Sequence, residues 1–238
     1  MLGFRTLAAM MGGLLAALPA HGATFTPPPG CTLLVTVQYR QCTVANHYSC
    51  ASDTPGDRWI AYADGQGLFF TSRIDTETRW MESISHATGE VDWLNEGGSA
   101  DHASFSALLA TGRDDYDFVT DSNTGAQTRY RGFDRLTGES VTIDGVPLER
   151  CEFDLSAFDA AGNFLSRRTG MQFINRDMRL FLSDSETIEN AVGDRVTTTQ
   201  PPVLFAFPGD EGFGAAEPIL DCDALMTGTP ARPVRPIL

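Results

Sequence analysis

The chain has 238 residues, 17 basic and 31 acidic, with a formal net charge of −14 and no lysine. That balance argues against a polyanion-binding role, because phosphate contacts need a basic face. We read the acidity as solubility rather than as a cation-attracting surface. The length suits one domain, with or without a tail, large enough to fold without depending on disulfides.

Residues 1–23 read as a secretory signal peptide. Arg5 charges the start, an apolar run covers 6–18, Pro19 breaks it, and small residues follow at Ala20, Gly22 and Ala23. The run is too short to span a bilayer, and no other stretch approaches the length of a membrane helix. Lipid anchoring is disfavoured, since Cys31 lies well beyond the run and Pro28 stands where a leucine is wanted. The expected location is therefore periplasmic or secreted. Residues 24–30 form a short proline-rich lead-in, 31–207 a single β-rich domain, and 208–238 a Gly/Pro-rich tail expected to pack on it.

Apolar and polar residues alternate with period two through most of 31–207, the mark of strands. Segments 31–39 and 42–50 read as a hairpin with Arg40 and Gln41 at its tip. In that register Tyr39 faces Cys42, Val35 faces Asn46 and Cys31 faces Cys50, and His47 points to solvent. Strands over 58–63 and 67–74 flank Asp64-Gly65-Gln66, a hairpin signal. Strands over 78–85 and 91–94 follow. One short helix is predicted after residue 100, with Asp101 or Ser104 as cap, Phe105, Leu108 and Leu109 as its apolar stripe, and Gly112 as its stop. Strands are then predicted over 116–120, 127–133, 139–143, 148–158, 164–174, around Leu180, and over 203–207. The polar stretch 183–200 reads as a long excursion. The sum is a mainly β fold: an antiparallel up-and-down barrel or half-open clam-like sheet of about ten to twelve strands with one short helix, the alternative being a β-sandwich.

The five cysteines, Cys31, Cys42, Cys50, Cys151 and Cys222, fit neither zinc-ligand nor redox-motif spacing. In an exported protein they are disulfide candidates. Cys31 and Cys50 are opposed in the hairpin, where a bridge is allowed but strained. Cys42 and Cys50 lie at opposite ends of one strand and cannot pair. Cys222 pins the tail to Cys151, Cys31 or Cys42, and one cysteine is left over.

No motif for a metal, a cofactor or a hydrolytic nucleophile is present, so no catalytic residue is assigned. The aromatic residues carry the one binding hint. Trp59, Trp80 and Trp93 fall on separate strands and fill a closed core, or line an apolar cavity if the barrel is half-open. The most specific functional expectation is a non-catalytic binder or carrier of a hydrophobic or amphiphilic ligand, lipid-like or another apolar small molecule. The alternative is a structural or protein-interaction module of the cell envelope, with a hydrolase less favoured. Nucleic acid is not an expected partner.

Overall fold

The computed structural model describes residues 23–222. The expected signal peptide, up to residue 22, and the tail beyond residue 222 lie outside the described residues. The chain forms β1 (Cys31–Tyr39), β2 (Thr43–Cys50), β3 (Arg58–Asp64), β4 (Gly67–Ile74), β5 (Trp80–Ser85) and β6 (Glu90–Leu94). A helix, α1 (Phe105–Thr111), then precedes β7 (Arg113–Ser122), β8 (Gln127–Ile143), β9 (Val146–Asp159) and β10 (Phe164–Asn175). The series ends with β11 (Leu180–Asn190), β12 (Arg195–Thr199) and β13 (Pro202–Ala206).

All thirteen strands belong to one antiparallel sheet. Strands β1 to β12 follow one another as a meander, and β13 returns to pair with β1 at the far edge. Only Gln200 and Pro201 separate β12 from β13 in sequence. The sheet must therefore curl until its two edges meet at that dipeptide. The Gln200 N–H donates to the Asp184 carbonyl on β11, while the Pro201 carbonyl accepts from the Arg40 N–H beside β1. The ladder does not close, so the fold is a curled, clam-like sheet rather than a closed barrel.

The strand count exceeds the ten to twelve expected because 183–200 is not an excursion. It carries the end of β11 and all of β12. As an edge strand, β12 is largely exposed and shows little burial alternation, which hides it from a period-two reading.

The main core joins β1–β4 to β9–β11 and β13 across the curl, through Val35, Val37, Ile60, Tyr62, Phe70, Leu148, Phe173, Leu182 and Phe205. A second cluster seats Phe105 and Leu108 of α1 on Cys151, Ile174 and Phe181. The helix is bounded locally. The Ser104 hydroxyl accepts from the Ala107 N–H at 3.1 Å, and Gly112 takes the left-handed conformation at φ 83°. Glu77, from the β4–β5 loop, accepts from the Ser106 N–H at 2.8 Å and the Ser104 hydroxyl at 2.9 Å, tying the helix to the sheet.

The first hairpin departs from the predicted register at its tip. Its loop has three residues, Arg40, Gln41 and Cys42, because Gln41 (φ 57°) and Cys42 (φ 54°) both turn left-handed. Tyr39 then faces Thr43, and Val35 faces His47. A bulge between Leu33 and Val35 restores the pairing of Cys31 with Cys50. The one-residue slip reverses the faces of the outer half. His47 accordingly lies in the interior, fully buried, instead of in solvent. Thr36, Gln38 and Asn46 take the opposite face and are covered by the tail. The Gly214 N–H donates to the Thr36 hydroxyl at 2.9 Å, the Ile219 N–H donates to Gln38 Oε1 at 3.1 Å, and Asn46 Nδ2 donates to the Ala215 carbonyl at 2.9 Å.

Two disulfides fix this arrangement, Cys31–Cys50 within the hairpin and Cys42–Cys222 between its tip and the tail. Cys151 is a free, buried thiol.

Candidate functional site

Seven consecutive strands, β4 to β10, surround a cleft of about 260 Å³. A bulge between Arg73 and Ile74 lets Ile74 pair with Trp80, which sets Trp80 against both the main core and a third cluster. That cluster contains Tyr116, Phe118 and Leu155, with Tyr130 packed on it. Trp80 meets Phe118 edge-on at 5.3 Å and Tyr130 edge-on at 5.2 Å, and Phe118 and Tyr130 stack at 5.1 Å. Interlocked rings of this kind hold one another in place and leave a rigid apolar wall. Phe70, Leu155, Ala157 and Leu165 extend it.

The polar part of the lining comes from Glu82, Ser83, Asp92, Thr120, Thr128, Ser166 and Arg168. Arg168 holds Glu186 through two hydrogen bonds, at 2.8 and 2.9 Å, with both side chains mostly buried. Burial pushes the Glu186 carboxyl above the usual range against the pull of Arg168. Glu82 lies 3.5 Å from Arg73, which also binds Asp57 at 2.7 Å.

A smaller inner chamber, about 30 Å³, shares Trp80 and Leu155 with the cleft. That is room for about two waters. Thr78, Arg79, His102, Tyr116, Asp134 and Gln172 bring polar groups to it. Asp134 sits on the face of β8 that carries Tyr130 and Gly132, and accepts from Gln172 Nε2 at 2.6 Å. Burial, and then the nearby Asp114 carboxylate, push the Asp134 carboxyl up to about 8. Asp114, which accepts from the Ser104 N–H at 2.7 Å, is itself pushed up to about 6, chiefly by burial. Asp134 is therefore a neutral acid at neutral pH, able to donate as well as accept. His102 Nδ1 is buried without a hydrogen-bond partner among the described residues. Arg79 is held by Asp75 at 2.6 Å.

Two glycines shape this region by letting backbones approach. A Cβ on Gly132 would stand 1.9 Å from the Asp154 carbonyl oxygen, and one on Gly170 2.0 Å from that of Ser185. These contacts let β8 approach β9, and β10 approach β11, more closely than a side chain would permit.

The three sequence-predicted tryptophans are not brought together. Trp80 lines the cleft. Trp59 stacks on Tyr48 at 6.3 Å, with Arg73 over its ring and its Nε1 donating to Asp53 at 2.7 Å. Trp93 is 42% exposed, because its neighbours Asp92 and Leu94 take the cleft and the chamber and strand alternation sends it the other way. Tyr130, Asp92, Arg168 and Asp134 carried no sequence signal. In so acidic a chain one buried aspartate looks like any other, and only the alternation of Tyr130, Gly132 and Asp134 placed it on an inner face.

Among the described residues no group of three or more His, Cys, Asp or Glu side chains could hold a metal ion. The Cys151 thiol is pushed well up by burial and then by Asp134, which makes it a poor nucleophile. Comparison with protein-family models, curated proteins and solved structures gives no match.

Proposed function

We propose that this protein is a non-catalytic binder of a small amphiphilic molecule, held in the cleft walled by Trp80 and Tyr130. The observation that carries this reading is the cleft itself: a rigid aromatic wall and a fringe of hydroxyls and charges around one open space. Pockets that take drug-sized ligands measure about 300–1,000 Å³. At about 260 Å³ the cleft suits a single ring or a short chain with a polar head, not a lipid with several long chains.

Two disulfides and the leader expected at residues 1–23 support a working place in an oxidising compartment, the periplasm or the exterior. No helix among the described residues is long and apolar enough to cross a membrane.

Native mass spectrometry of the exported protein tests the reading. A small bound mass is expected on the wild type, lost in Ala157→Leu, which fills the cleft from a buried lining position. A folded wild type that carries no adduct and shows no tryptophan fluorescence change across a library of small amphiphiles would overturn it.

The edge strand β12 favours a second reading as an interaction module. Among the described residues it pairs on one side only and exposes Val196, with Val192 exposed in the turn before it. Such an edge can accept a partner's strand.

A further inference from the structure

The charged groups on the cleft lining are already engaged. Arg168 holds Glu186 through two hydrogen bonds, Glu82 lies 3.5 Å from Arg73, and Asp92 also interacts within the fold. A charged head group entering this space would meet no counter-charge of its own, and burying an uncompensated charge is costly. Four hydroxyls on the lining differ. Those of Ser83, Thr120, Thr128 and Ser166 make no hydrogen bond to another protein group among the described residues. Each can donate one bond and accept others. They are not gathered at one point. Ser83 stands on β5, Thr120 on β7, Thr128 on β8 and Ser166 on β10, with Thr120 and Thr128 opposed across the ladder. A ligand with a single hydroxyl engages one or two of them, whereas a ring with hydroxyls around its perimeter engages several. Phe70, Trp80 and Tyr130, from β4, β5 and β8, bring apolar surface to the same space. Such surface covers the apolar C–H face of a saturated sugar ring and leaves the hydroxyl rim to the serines and threonines.

Building on the reading of the cleft as a ligand site, we propose that its occupant is an uncharged, polyhydroxylated ring, a neutral monosaccharide, rather than a short chain with one polar head or a charged amphiphile. Such a ring is amphiphilic by face: its C–H face packs against the aromatic side chains, and its rim exchanges hydrogen bonds with the four hydroxyls.

Calorimetric titration of the full, oxidised protein tests this. The probes are the methyl glycosides of glucose, galactose and mannose, the matching uronic acids and amino sugars, and cyclohexylmethanol, which keeps a saturated ring but only one hydroxyl. At least one neutral glycoside is expected to bind about tenfold or more tighter than its charged counterparts and than cyclohexylmethanol, because a one-hydroxyl ring leaves hydroxyls of the site unpaired. Thr128→Val, which removes one hydroxyl with little change of shape, is expected to weaken that glycoside about fivefold. If that variant does not fold, Ser166→Ala removes a hydroxyl from another strand and is expected to do the same. Three results would each overturn the sugar assignment and leave the cleft reading standing: cyclohexylmethanol binding as tight as every glycoside, a charged sugar binding as tight as the neutral one, or glycoside binding unmoved by loss of a hydroxyl. If no probe binds the folded protein, a non-sugar mass found on the exported protein overturns the sugar assignment alone, and no bound mass overturns both.

Discussion

Asp134→Asn isolates the electrostatics of the inner chamber. The asparagine keeps the shape and keeps an oxygen to accept from Gln172 Nε2, now at 2.6 Å, but it cannot ionise. In the unfolded chain an aspartate titrates near 3.9, whereas in the fold burial and Asp114 push Asp134 up to about 8. Below about pH 4 both states hold the proton, and the substitution changes little. Between pH 4 and pH 8 the folded state holds a proton that the unfolded state has released, so wild-type stability falls as pH rises. At about 1.4 kcal/mol per pH unit the loss reaches a ceiling of about 6 kcal/mol by pH 9. The variant lacks this loss. Urea unfolding at pH 5 and pH 8 is the assay. Asp134→Asn is expected to gain stability over wild type between those pH values, by up to about 4 kcal/mol. Equal wild-type-to-variant differences at both pH values would refute the neutral-acid assignment. Asp114→Asn is expected to reproduce a smaller part of the effect, since Asp114 is the second cause of the Asp134 shift.

His47 carries the opposite sign. Its two ring nitrogens have no hydrogen-bond partner among the described residues, and burial followed by the Arg58 charge pushes it down to about 3. The wild type should therefore lose stability as pH falls from about 6.5, and His47→Leu should flatten that acid limb in urea melts while gaining about 1–3 kcal/mol near pH 5. Cys42→Ser/Cys222→Ser opens a link between residues 180 apart and is expected to cost up to about 5 kcal/mol in denaturant melts and to release the tail segment to protease. A protease pattern and midpoint like wild type would show that the tail's hydrogen bonds to Thr36, Gln38 and Asn46 hold it unaided. Gly132→Ala puts a methyl group into the Asp154 carbonyl, with an expected cost of at least about 2 kcal/mol in the same melts, whereas Gly138→Ala, where nothing lies within 4 Å of the added carbon, should cost less despite its φ of 82°.

The fold class was legible because alternation is a local property. Each strand from β1 to β11 either alternates or sits between turn residues, the stop of α1 was readable as Gly112, and of the two caps the sequence offered, Asp101 and Ser104, the structure uses Ser104. What failed was also local in origin. The tip of the first hairpin was read as two residues because neither Gln41 nor Cys42 advertises a left-handed conformation. That single residue moved His47 from the surface to the core. Edge strand β12 was missed because an exposed strand has no buried face to mark it.

The sequence by itself determined a meander of antiparallel strands, since neighbouring segments with matched periodicity and short turns pair with each other first. It also limited the sulfur chemistry, opposing Cys31 to Cys50 and separating Cys42 from Cys50. Only the tertiary structure decided how the sheet curls, because nothing in Gln200-Pro201 says that the two residues join opposite edges. The curl then chose Trp80 over Trp59 and Trp93, set Asp92, Tyr130 and Arg168 around one cleft, and buried Asp134 beside Asp114. Those contacts join residues far apart in sequence, and their chemistry comes from burial and from neighbouring charge, neither of which is a property of any residue on its own.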